Sequence, residues 1–140
     1  MQEEEQKEEK NYLLNIILKM TKFQSLKHSH QFLRILKKKR INTKYFTIYF
    51  DKNSGDFSKS INKYLNISFV MKKNIGNATI RNKIKRKLKS AFQKISKERQ
   101  LIDPNYTYVI FGKNNVYKDK FQLIVNEVNE VFKKIKAKDE

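Results

Sequence analysis

The sequence predicts an α+β fold, a single-domain α/β sandwich with helices against one sheet, in the order α-β-β-β-α-β-α. Three observations carry that reading. Runs dense in aromatic and β-branched residues at 44–50, 65–71 and 106–112 have strand composition. Stretches after Ser29, at 78–97 and at 119–137 repeat apolar residues at helical spacing. The two kinds of segment alternate within 140 residues, the length of one ordinary domain with one core.

Residues 1–19 stand apart as an acidic, amphipathic N-terminal extension to a domain spanning 20–140. "MQEEEQKEEK" holds five Glu and two Lys, the reverse of the balance in the rest of the chain. The plain reading is a solvated tail; the sharper one is a segment that competes with nucleic acid for a basic surface. Met20 is an alternative start. Ser29 suits an N-cap, and Phe32, Leu33, Ile35 and Leu36 make an amphipathic helix. It ends in Lys37, Lys38, Lys39 and Arg40, cations that suit a helix C-terminus. Arg40 to Thr43 reads as a short partner strand to "KYFTIYF", 44–50. "DKNSGDFSKS" is turn chemistry, and "LNISFVM", 65–71, is the next strand. Asn77 is placed to cap a helix over 78–97. "LIDPNY" marks a turn, "YTYVIFG" is the last strand, and Gly112-Lys113-Asn114-Asn115 stops it. Phe121, Ile124, Val125, Val128, Val131, Phe132 and Ile135 then share one face of a helix over 119–137.

Charge narrows the function. The chain has 32 Lys and Arg against 14 Asp and Glu, net +18. Setting the first ten residues aside leaves 30 basic and 9 acidic side chains. Repulsion on that scale opposes compaction and is best relieved by a polyanion. Nucleic acid leads, and an anionic membrane surface is second. With no Cys, neither a disulfide framework nor a thiolate metal site is available. The acidic start does not fit a targeting peptide. The longest apolar cluster, Tyr12 to Met20, is interrupted by Asn15 and Lys19 and is too short to span a bilayer. The expected location is the cytoplasm, with no membrane partner.

"NATIRNKIKRKLKSAF", 77–92, carries the sharpest signal. At 100° per residue, Ile80, Ile84, Leu88, Ala91, Phe92 and Ile95 fall within about a third of the circle. Lys83, Lys85, Arg86, Lys87 and Lys89 occupy the rest, with Arg81 at the edge of the apolar stripe. An ordinary exposed face mixes signs. Here Arg81 and Lys85, Lys83 and Lys87, and Lys85 and Lys89 are like pairs at i,i+4, unrelieved by any acid before Glu98. A ladder of phosphates turns each repulsion into an attraction, so this helix is a candidate nucleic-acid contact. Upstream, "MKKNIGN" joins Lys72 and Lys73 to a loop that reads either as an anion site at a helix start or as a simple strand-to-helix connection. Tyr45, Phe46, Tyr49 and Phe50 must point to both faces of a strand; one face enters the core and the other can offer rings for stacking.

Together these residues resemble the protein subunit of bacterial ribonuclease P. The likeness rests on "ISFVMKKNIGNATIRNKIKRKLKSAF", 67–92, in which a strand ending in a basic pair leads into a helix opening R-N-x-x-K-R. "LKHSHQFLRILKK", "YFTIYF" and "YTYVIFGK" add weaker support over about residues 22–135. The resemblance implies a sandwich like the second domain of ribosomal protein S5, with a left-handed βαβ crossover. It implies that an RNA partner, ribonuclease P RNA, is the catalyst and removes the 5′ leader of precursor tRNA. It implies that Arg81, Asn82, Lys83, Lys85, Arg86 and Lys89 face that RNA, with Lys72 and Lys73 near the join, and that Phe32 and Tyr49 line a cleft for the leader. Mg2+ is then held mainly by the RNA and not by the protein alone, and no obligate protein partner is expected. Lys83 and Lys89 stand where the family often has Arg, and Leu36 where an aromatic is common.

No catalytic set competes with this reading. Gly55, Gly76 and Gly112 are too scattered for a dinucleotide loop. His28 and His30 diverge on a helix and lack further zinc ligands. Asp51, Asp56, Glu98, Asp103, Asp119, Glu127 and Glu130 are scattered, as solvated surface would be, and not clustered as a metal nuclease needs. Two alternatives stay open on the residues alone: a ribosomal or general RNA-binding module of similar fold, and a self-sufficient nuclease.

Overall fold

The computed structural model describes residues 23–26, 29–52, 65–99, 102–103 and 105–139. The predicted N-terminal extension, Met20, His28, Pro104 and the turn residues 53–60 lie outside the described residues. The elements are β1 (Phe23–Gln24), α1 (Ser29–Leu36), β2 (Lys39–Asn42), β3 (Phe46–Lys52), β4 (Leu65–Val70), α2 (Ala78–Arg99), β5 (Tyr106–Gly112), α3 (Asn115–Lys118) and α4 (Phe121–Asp139). One five-stranded sheet runs β1-β4-β5-β3-β2. β1, β4 and β5 are parallel to one another, while β3 is antiparallel to β5 and β2 antiparallel to β3. β4, α2 and β5 thus form a βαβ unit, with a single 3₁₀ turn, Lys73–Ile75, leading into α2.

Strand alternation sorts the side chains. Phe46, Ile48 and Phe50 of β3, Leu65 and Ile67 of β4, and Tyr106, Tyr108 and Ile110 of β5 enter the main core. They meet Ile84, Leu88, Phe92 and Ile95 of α2 and Ile124, Val128, Val131 and Phe132 of α4. Phe92 is the hub: its ring lies 5.4 Å from Phe46, 5.4 Å from Phe69 and 5.6 Å from Phe132, all edge-on. The opposite face of the sheet carries Thr47, Tyr49, Val109 and Phe111 and is covered in part by α1 through Phe32 and Ile35.

The architecture agrees with the predicted class, and several boundaries move for identifiable reasons. β1 and α3 are additional elements of two and four residues, too short to show a period. α1 stops at Leu36, and Lys39 and Arg40 belong to β2, paired with Phe50 and Tyr49. The run of cations therefore straddles a helix end and a strand instead of capping α1. Ser29 is itself helical, so it is not a cap outside the helix. The aromatic strand starts two residues late, because the Thr43 hydroxyl accepts from the Tyr45 and Phe46 amides and holds a turn there. α4 starts at Phe121, which is exposed and not in the core. Asn77 does cap α2: its Oδ1 accepts the Ile80 amide at 3.0 Å. A Cβ on Gly76 would lie 3.2 Å from Ile80 Cγ2, so glycine permits the tight approach of this loop to the first turn of α2.

Candidate nucleic-acid interface

α2 buries one stripe and turns the rest of its circumference outward. Ile84, Leu88, Ala91 and Phe92 are fully buried, while Asn82, Lys83, Lys85, Arg86 and Lys89 are exposed. Arg81 is half-buried, as its position at the edge of the stripe requires, and its Nε is enclosed without a protein partner. The ion pairs Lys44–Asp119 and Lys133–Glu130 lie elsewhere, so among the described residues no carboxylate masks the cations of α2. Lys87 is the exception on this helix. Its ammonium donates to the Asp119 backbone carbonyl and tethers α2 to the loop before α4.

Lys72 and Lys73 are exposed at the end of β4, where the Ile75 amide closes the 3₁₀ turn onto the Lys72 carbonyl at 3.1 Å. Lys72 also reaches sideways: its Nζ lies 5.7 Å from the centre of the Phe111 ring. Phe111 in turn meets Tyr49 at 5.6 Å and Phe32 at 6.1 Å, both edge-on. Phe32 and Tyr49 are therefore brought to one place, each against Phe111, on the face of the sheet that α1 partly covers. Next to it, Thr47, Lys72, Asn74, Phe111, Lys113 and Asn114 line a hollow of about 590 Å³ that is open to solvent. This hollow connects the aromatic floor to the loop that opens α2. Lys72 and Phe111 thus share one lining, while the exposed cations of α2 lie outside it.

Sequence reasoning misses Phe111 and Lys113. Alternation along "YTYVIFG" could have found Phe111, since a strand with Tyr106, Tyr108 and Ile110 inward must turn Phe111 outward. Lys113 donates to Asn42 Oδ1 at 2.5 Å and the Thr43 carbonyl at 2.6 Å, contacts some 70 residues away that no local pattern announces. Tyr45, one of four aromatics that the sequence divides between a core face and a stacking face, is a buried core residue. Its hydroxyl donates to Asp119 Oδ2 at 2.6 Å, which pushes the phenol up to about 12. Asp119, expected as solvated surface, is half-buried, and the bonds from Tyr45 and then Lys44 hold its carboxyl below the ordinary value of 3.8. Among the described residues no three His, Asp or Glu side chains gather as metal ligands. The groups on the exposed α2 face are amines, guanidinium and the Asn82 amide, whose carbonyl oxygen is the one cation-ligating type among them.

Solved proteins of similar fold include RNase P proteins. The structure is similar to the RNase P protein from Thermotoga maritima, with TM-score 0.62 and 24% identity over 79% of this chain and 96% of that one. It is equally similar, at TM-score 0.62 and 26% identity over 80% and 87%, to a Staphylococcus aureus RNase P protein mutant described as having defective mRNA degradation activity. In sequence it is 28% identical over 118 residues to the Ribonuclease P protein component of Carboxydothermus hydrogenoformans, covering 84% of this chain and 95% of that relative. The family model described as Ribonuclease P matches residues 20–136, and the chain belongs to that family, as a ribonuclease P protein component.

Proposed function

We propose that this protein binds ribonuclease P RNA along α2 and holds the 5′ leader of precursor tRNA in the α1–sheet cleft. In this reading it is the non-catalytic subunit of an endoribonuclease that matures tRNA 5′ ends in the cytoplasm. The supporting observation is the row Lys83, Lys85, Arg86 and Lys89, exposed and free of carboxylate partners on one helix. Arg81, Asn82, Lys72 and Lys73 extend the same surface toward the cleft. Four to six phosphate contacts make binding steeply salt-sensitive, since each displaces counterions. Phe32, Tyr49 and Phe111 offer ring edges and faces to unpaired leader bases. Hydrolysis and its Mg2+ belong to the RNA, whose phosphates supply the oxygen ligands.

Leader cleavage tests this directly. Precursor tRNA, the RNA subunit and low Mg2+ are combined with and without the protein. Restored 5′ cleavage is expected only when both subunits are present. Cleavage by the protein without RNA, or no stimulation of the RNA at any protein concentration, overturns the reading.

A further inference from the structure

Tyr117 sits on α3 and is 47% exposed. Most of the described aromatic rings are inward or locked against other rings. The contact seen for Tyr117 is a cation: Lys83 Nζ lies 5.9 Å from its centre, at the outer limit of a cation–π interaction. Such a contact at an exposed site is worth only about 0.5–1 kcal/mol and is easily exchanged.

The mounting of this ring is rigid. Val116, its neighbour, is fully buried in the core. The Tyr117 amide donates to the Asn114 carbonyl at 3.0 Å, and the Asn115 side chain donates to the Lys44 carbonyl at 3.0 Å. Asp119, just after α3, is held by Tyr45, Lys44 and Lys87. The direction also matters. On the helical wheel Lys83 and Lys87 share one flank of α2, roughly 40° apart, while Arg86 points away from the core. Lys87 is used to clamp the loop, so the outward groups on that flank are Lys83 and the Tyr117 ring. Lys118 and Lys120 on either side of Asp119 are also exposed.

We infer that Tyr117 is a stacking platform for one unpaired base of the bound RNA, with Lys83 holding the adjoining phosphate. This rests on the proposal that α2 is the RNA-binding face, and it extends that face onto α3. An exposed aromatic set among cations suits a nucleotide, whose base stacks while its phosphate pairs. A regular duplex has no free base face to offer.

The test is equilibrium binding of the full chain to its ribonuclease P RNA over a range of salt, for wild type and for Tyr117→Phe, Tyr117→Ala and Arg86→Glu. Thermal melts confirm that each variant folds. Stacking predicts that Tyr117→Ala binds roughly ten-fold more weakly at every salt concentration, with an unchanged salt slope, while Tyr117→Phe stays near wild type. If Tyr117→Ala binds like wild type while Arg86→Glu fails to bind, the platform is overturned and the α2 reading stands. If neither variant weakens binding, the α2 reading itself is wrong and the platform falls with it. A Tyr117→Ala effect that appears only as a lower salt slope also overturns stacking, because the ring would then be acting only by placing Lys83. Ultraviolet cross-linking to p-benzoylphenylalanine at position 117 supplies a second readout: an RNA adduct is expected, and its absence at saturating RNA counts against the platform.

Discussion

Tyr45 and Asp119, 74 residues apart, share a 2.6 Å hydrogen bond that ties the turn before β3 to the loop between α3 and α4. Lys44 joins the same carboxylate at 3.2 Å, and Lys87 of α2 reaches the backbone carbonyl of Asp119. One loop residue therefore connects the sheet, α2 and the start of α4, and it fixes where α3 presents its side chains.

This pair predicts both edges of the stability–pH profile. The Asp119 carboxyl is lowered in the fold, so its contribution is present above the unfolded value of 3.8 and is lost as pH falls through the folded one. The Tyr45 phenol is raised from 10.0 to about 12, so its contribution is full below 10.0 and is lost as pH climbs to about 12. Thermal melts of Tyr45→Phe across pH should show a lower midpoint at neutrality and a weaker alkaline fall than wild type. Asp119→Asn should flatten the acid edge. Parallel profiles for wild type and both variants would show that the bond contributes nothing to the fold.

Phe92 predicts the cost of breaking the core. It is fully buried and touches rings from β3, β4 and α4 at once. Phe92→Ala removes contacts between α2 and every layer beneath it and leaves a cavity among rigid rings. Denaturant unfolding should show a loss of about 3–5 kcal/mol. A loss below about 1 kcal/mol would mean that the neighbouring rings collapse into the space.

Lys87 and Arg86 are adjacent in sequence and opposite in predicted effect. Lys87 is a clamp, so Lys87→Ala should lower the melting temperature and leave the salt slope of RNA binding close to wild type. Arg86 has no protein partner among the described residues. Arg86→Ala should therefore leave the melt unchanged and reduce the slope by about 0.7–0.9, the share of one phosphate contact. The two measurements on the two variants form a crossed design, and an exchange of the effects would refute the assignment.

Much of this was legible in the sequence where the physics is local. The stripe from Ile80 to Ile95 and the cations around it follow from helical geometry, and the structure buries and exposes them accordingly. Asn77 as a cap needs only its chemistry and its place before the stripe. What was not legible depends on long-range pairing. On a wheel Lys87 borders the apolar stripe, about 40° nearer to it than Lys83, but only the carbonyl of Asp119, 32 residues on, makes it a clamp. Tyr45 reads as a strand aromatic until Asp119 claims its hydroxyl. β1 has two residues, and its existence is decided by the parallel register Phe23 to Leu65, not by any period.

The proposed leader site predicts how precursor is told from product. Phe111 stands between Phe32 and Tyr49 with Lys72 beside it, so its loss removes the centre of the aromatic floor while leaving the α2 cations in place. A single-stranded leader lying there loses a stacking partner, worth about 1–3 kcal/mol per base. Mature tRNA has no leader and loses nothing. Holoenzyme assembled with Phe111→Leu should accordingly bind precursor tRNA roughly ten-fold more weakly, with affinity for mature tRNA and for the RNA subunit unchanged. Leu keeps apolar volume beneath α1, and a melt of the free protein checks that the helix stays docked. Equal weakening for precursor and mature tRNA would place the leader elsewhere, because the loss of a group that touches only the leader cannot weaken a tRNA that lacks one.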